Sequence, residues 1–184
     1  MTVLDLPSDA PPPGPEAATG RFLLGRGRHL LDADDLAALE GAVAHVRNVG
    51  PRQPLQARGA PVTGSTMLVS GYVCRYMDDR EGYRQIVAVH VPGDFVDLHG
   101  FTMQVLDHDI VSIGPVRIAA FEHPTLAELT ETRPRLARAL WFSTLLDAAM
   151  HREWIFRLGR LGAEGRVAHL FSELEVRLAM IGLG

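Results

Sequence analysis

Between Thr66 and Phe121 the chain is a succession of short β-rich runs separated by glycine, proline and acidic turn residues. Strands of this kind, rich in β-branched and aromatic residues and closed by turn formers, leave little room for any other reading. MLVSGYVCRYM (67–77) is the first clear run, and the stretch from Asp78 to Gly82 turns it into YRQIVAVHV (83–91), which predicts a hairpin. Pro92, Gly93 and Asp94 form a turn, because proline presets φ and glycine permits positive φ. IVSIG (110–114) and VRIAAFEH (116–123) supply further strands around Pro115. Many short antiparallel strands in about 60 residues predict a small barrel or jelly roll.

The flanks follow helical spacing. Asp32 or Asp34 can cap a helix in which Leu36, Leu39, Ala42, Val43 and Val46 recur, ending near Asn48 and Gly50. After Pro134, helix formers run to about Leu158, with Leu136, Leu140, Trp141, Leu145, Ala148 and Ile155 spread over more than one face. One stripe can pack on the barrel and another on a partner. Gly159, Gly162 and Gly165 each cost about 1 kcal/mol of helix stability relative to alanine, which predicts a break before helical spacing resumes from Arg166 to Met180. Residues 1–18, with five prolines and few bulky apolar groups, bury too little to offset their ordering entropy and are expected to be a disordered leader.

The net charge of −4 and a pI near 6.0 argue against a chain that holds nucleic acid by neutralising phosphates. A lone cysteine, Cys74, can form neither an internal disulfide nor a multi-cysteine metal site, and points to a reducing cytoplasm. It reads as a small apolar strand residue. Neither a secretory signal nor an apolar run of the ~18 residues needed for a membrane span is evident, so a soluble cytoplasmic protein is expected.

LVSGYVCRY (68–76), RQIVAVHVPGDFVDLHGF (84–101) and the long string from Arg133 to Leu174 resemble, in this order, the Crp/Fnr (catabolite-activator type) transcription regulators, over some 150 residues from Arg21 onward. The resemblance implies an α+β chain: an antiparallel β-roll of the cyclic-nucleotide-binding kind, a short N-terminal helix and a long C-terminal dimerisation helix. It divides the chain into a leader (1–18), a sensor domain (19–132), a dimerisation helix (133–161) and the first part of a DNA-binding domain (162–184). The groove-reading helix-turn-helix is expected beyond this chain, with Arg166, His169 and Arg177 as the possible phosphate contacts here. Further expectations are a homodimer through Leu140, Leu145, Ala148, Arg152 and Ile155, hinges at Gly159, Gly162 and Gly165, an unidentified small-molecule effector, and no enzymatic activity.

Cyclic-nucleotide-binding members of the family place a Gly-Glu pair and, some ten residues later, Arg-Ser or Arg-Thr around the effector. Here Asp107, His108 and Asp109 occupy the place of the arginine pair, and acidic groups there repel a cyclic phosphate by roughly 1 kcal/mol or more at 4 Å. Asp97, His99, Asp107, His108, Asp109 and His151 are the candidate effector-binding residues. His90, His99, His108, His123 and His151 invite a metal or haem reading. No HxH or HxxxH spacing fixes two ligands on one element, so no metal set is assigned, cofactors are left open, and the histidines read as surface or hydrogen-bonded. Two other readings remain: a jelly-roll enzyme of the cupin kind, whose HxH-plus-glutamate triad is missing, and a dimerisation module without ligand.

Overall fold

The computed structural model of the chain describes residues 14–184. The expected leader therefore falls mostly outside the described residues, but its last part belongs to the fold. Gly14 to Gly27 run as successive turns, with Ala18 and Thr19 buried. The Glu40 carboxylate accepts from the backbone N–H groups of both residues and from the Thr19 hydroxyl, at 2.6–3.0 Å.

Helix α1 (Ala33–Gly41) begins with a capping box in which Asp32 and Asp35 each accept from the other's backbone N–H. It stops earlier than its apolar spacing suggested. His45–Val49 forms strand β1 instead, paired antiparallel to strand β7 (Val116–Glu122). The β-branched valines at 46 and 49 suit a pleated edge as well as a helix face, and the sheet partner decides.

Two antiparallel sheets make the roll. One has the order β1, β7, β3 (Gly64–Ser70). The other has the order β2 (Pro54–Gln56), β6 (Asp109–Ser112), β4 (Val73–Asp78), β5 (Arg84–His90). The run 67–77 is thus two strands in different sheets, divided at Gly71. Its φ is +84, and a Cβ there would lie 2.5 Å from the Pro115 carbonyl oxygen, so only glycine fits. The β4–β5 hairpin forms as expected. Gly93 (φ +92) makes the predicted turn, and its missing Cβ lets the Arg21 carbonyl approach.

Alternation along β3 and β7 assigns the core to two layers. Leu68, Val116 and Ile118 point into the roll with Val73, Val96, Leu106 and Ile110. Met67, Val69, Ala119 and Phe121 point the other way, onto Phe22, Leu36, Leu39, Phe95, Leu126, Leu136 and Leu140. Burial on both faces explains why the MLV run is continuously apolar. A one-turn helix, α2 (Gly100–Met103), follows β5, and α3 (His123–Thr132) precedes the long helix α4 (Pro134–Arg160). The break falls at Leu161–Gly162, before α5 (Ala163–Met180). Of the three hinge glycines only Gly162 lies at the break; Gly159 and Gly165 lie inside helices. No described helix is long and apolar enough to cross a membrane.

Candidate functional site

Arg75 is only 2% exposed, on a strand whose neighbours Val73 and Cys74 are also buried. Its Nε donates to the Val96 carbonyl at 2.7 Å and its Nη1 to Asp147 Oδ2 at 2.6 Å. Asp147 belongs to α4, so this pair joins the roll to the long helix. Beside it the register slips: Arg75 opposes Ala88 while Tyr76 opposes Ile86, leaving Val87 as an extra residue, a bulge that re-aims the hairpin.

A cleft of about 450 Å³ opens around the Arg75–Asp147 pair. The hairpin contributes Met77, Ile86 and Val87, the segment after β5 contributes His99, Asp107 and His108, and α4 contributes His151, Trp154 and Ile155. The His99 and His108 rings lie 5.1 Å apart, tilted by 40°. His108 Nδ1 is 2.7 Å from Asp107 Oδ1, and His151 Nδ1 is 4.0 Å from Asp147. Burial, then the nearby Arg75 charge, pushes His99 down to about 4, and the same two causes lower His108. Burial lowers His151 as well. Burial alone would raise Asp147, but Arg75 holds its carboxyl below the usual range. At neutral pH the cleft therefore presents neutral imidazoles around the Arg75–Asp147 ion pair, with the Asp107 carboxylate at its rim.

Four of the six effector candidates meet here: His99, Asp107, His108 and His151. The other two do not. Asp97 is buried behind the sheet, where Oδ1 accepts the Thr66 N–H at 2.6 Å and burial pushes its carboxyl up to about 6. Asp109 accepts the Arg58 N–H at 3.0 Å. Both carboxylates serve the backbone of the roll. The expectation of surface or hydrogen-bonded histidines also needs correction. Among the described residues, His90 is 2% exposed with neither ring nitrogen within hydrogen-bond distance of a partner, Nδ1 lying 3.7 Å from Asp94, and the Nε2 atoms of His99 and His108 are buried without a hydrogen-bond partner. His123 does find one, Ser65 Oγ at 3.3 Å.

The sequence reading overlooked Arg75, Asp147 and Trp154 as cleft residues. A signal for the first two was present: each is a charged residue interrupting an otherwise apolar pattern. Trp154 donates from Nε1 to Glu173 at 2.6 Å and so joins α4 to α5.

On α4, Trp141 (66% exposed), Leu145, Ala148, Arg152 and Ile155 (69% exposed) recur at alternating spacings of four and three and form one stripe. Leu140 is not part of it. It is buried in the chain's own core, one position round the helix from Trp141, and is corrected from interface to core. Arg177 is likewise withdrawn as a phosphate contact, because its guanidinium is buried against Asp94 and the Val89 carbonyl. Arg166 is engaged by the Leu158 and Leu161 carbonyls.

Two antiparallel sheets closed into a roll, with a cleft against the long helix α4, form a cyclic-nucleotide-binding-type fold. Residues 46–133 match the family described as cyclic nucleotide-binding domain. The transcriptional activator protein FnrL of Cereibacter sphaeroides is 28% identical over 154 residues, 83% of this chain and 60% of FnrL. The transcriptional activatory protein AadR of Rhodopseudomonas palustris is 26% identical over 82% of this chain and 62% of its own length. The chain thus spans about three fifths of the curated relatives it matches. FixK2 from Bradyrhizobium japonicum shares the fold, with a TM-score of 0.68 at 24% identity over 73% of this chain and 67% of that one. So does the Thermus thermophilus catabolite activator protein, with a TM-score of 0.60 at 19% identity over 72% of this chain and 61% of that one. The chain is thus similar to transcription regulators of the Crp/Fnr type, and residues 46–133 match the cyclic nucleotide-binding domain.

Proposed function

We propose that this chain is the effector-sensing and dimerising part of a transcription regulator that reads DNA through a helix-turn-helix. The observation that carries this reading is the Arg75–Asp147 pair, which ties the floor of the cleft to α4. A ligand entering the cleft would meet the roll and the long helix together, so its binding energy can bias how they pack. The names of FnrL and AadR, both transcriptional activators, support the regulatory role. The exposed stripe from Trp141 to Ile155 is the homodimer interface.

The cleft's chemistry favours a small, largely neutral effector. Its volume lies within the usual range for small-molecule sites. Its one guanidinium is already committed to Asp147 and Val96, so a cyclic phosphate would find no unpaired cation at the floor. Native mass spectrometry of the complete gene product tests the reading together with gel shifts on a two-fold-symmetric site. A retained small molecule and sequence-specific binding are expected. Turnover of a substrate at the cleft, or a complete gene product that binds no DNA site better than random sequence, would overturn it.

A further inference from the structure

We propose that His99, His108 and Asp107 bind a divalent transition-metal ion of the zinc class in the cleft. One donor atom from each of the three lies within 4.8 Å of the others. Nothing in the sequence spacing shows this set. The fold builds it by bringing the residue that begins α2 against the loop entering β6.

The two imidazoles are already prepared as ligands. His108 is 6% exposed, and its Nδ1 is engaged by Asp107 Oδ1 at 2.7 Å, which leaves Nε2 as the available nitrogen. That Nε2, and the Nε2 of His99, are buried without a hydrogen-bond partner among the described residues. Buried ring nitrogens almost always find a partner, and a metal supplies one for both at once. Asp107 is largely exposed, and its carboxylate can leave His108 Nδ1 and swing onto the ion.

Metal–ligand bonds of ~2.0–2.2 Å demand donors somewhat closer than they stand, so closure by side-chain rotation accompanies binding. Arg75 opposes a cation here, but Asp147 at 2.6 Å from it and Asp107 offset that charge. Two imidazoles and a carboxylate suit Zn²⁺-class ions rather than Mg²⁺ or Ca²⁺, and three protein ligands leave a position for water or for a ligand in the cleft.

This inference rests on reading the same cleft as the sensory site, but its test measures metal alone. Tag-free protein stripped with chelator is titrated calorimetrically with Zn²⁺. One ion per chain is expected, with a micromolar or tighter dissociation constant. His99→Gln and His108→Gln should each weaken binding at least ~10-fold, the scale seen when metal-site partners are removed. His45→Gln, on the exposed edge strand, should leave binding unchanged. X-ray absorption on the zinc-loaded wild type needs no variant and should show two imidazoles near ~2.0 Å. No saturable binding, equal affinity in the doubly substituted protein, or a spectrum without imidazole overturns the site. Such a failure leaves the small-molecule reading standing, since that reading falls instead on the gel-shift and mass-spectrometric results.

Discussion

Asp94 and Arg177, 83 residues apart in sequence, meet inside the protein at 2.5 Å. Arg177 comes from the last turns of α5, so this contact locks that helix onto the roll. Arg26 takes the other carboxylate oxygen at 2.7 Å, and Arg177 also donates to the Val89 carbonyl and to Glu173. Burial alone would raise the Asp94 carboxyl, yet His90, Arg177 and Arg26 around it hold it well below the usual range.

Removing Asp94 leaves the buried Arg26 guanidinium without its counter-charge and Arg177 with Glu173 alone. Breaking such a pair from one side typically costs about 3–5 kcal/mol. Asp94→Asn should therefore lower the urea-unfolding free energy by about that amount, and exposed amides of α5 should exchange faster. A loss below about 1 kcal/mol would show that the contact does not hold α5.

The α4 stripe gives a prediction that separates two neighbouring leucines. Leu145→Glu, at an exposed position, should give folded monomers in sedimentation at tens of micromolar. Leu140→Glu places a charge in the core and should unfold the protein rather than dissociate it. Dimers that survive Leu145→Glu would move the interface elsewhere.

Acidification should destabilise the fold from about pH 6.5 downward. Burial holds His90 and His99 at about 4, and Arg75 adds to it in both. An unfolded histidine titrates near ~6.5, so between these values the unfolded state binds more protons and stability falls with pH. Asp97, raised to about 6, works in the opposite sense over part of that window, but it is one group against several lowered histidines. Thermal melts should show a lower Tm at pH 5 than at pH 7.5. An equal or higher Tm at pH 5 would contradict the burial assigned to these rings.

Cyclic nucleotides should bind weakly. Calorimetry with cyclic AMP and cyclic GMP should give no dissociation constant below about 1 μM, which would correspond to about 8.2 kcal/mol. Submicromolar binding would mean that Arg75 leaves Asp147 to take the phosphate.

The roll was legible because its strands alternate or run apolar at short spacing with turn residues between them, as in 83–91 and 116–123. Strand β1 was not, since HVRNV continues the helical spacing of Leu36 and Leu39 and only its pairing with β7 decides. Four cleft residues could be named because they lie in the segment that the family resemblance marks. Arg75 and Asp147 escaped because strand and helix patterns place a charge on a face but not against its partner 72 residues away. Asp97 and Asp109 looked like ligands for the reverse reason: a carboxylate spent on a backbone N–H looks the same in sequence as one free to bind.

The central claim is that the cleft controls DNA binding through α4. Operator affinity of the complete gene product measures it most directly, compared between the wild type and Met77→Trp, which fills the cleft from the hairpin side. With fold and dimer intact by circular dichroism and sedimentation, the substitution should change operator affinity by about 5- to 150-fold, the usual range of coupling between sites. Equal operator affinity in the two proteins would contradict it.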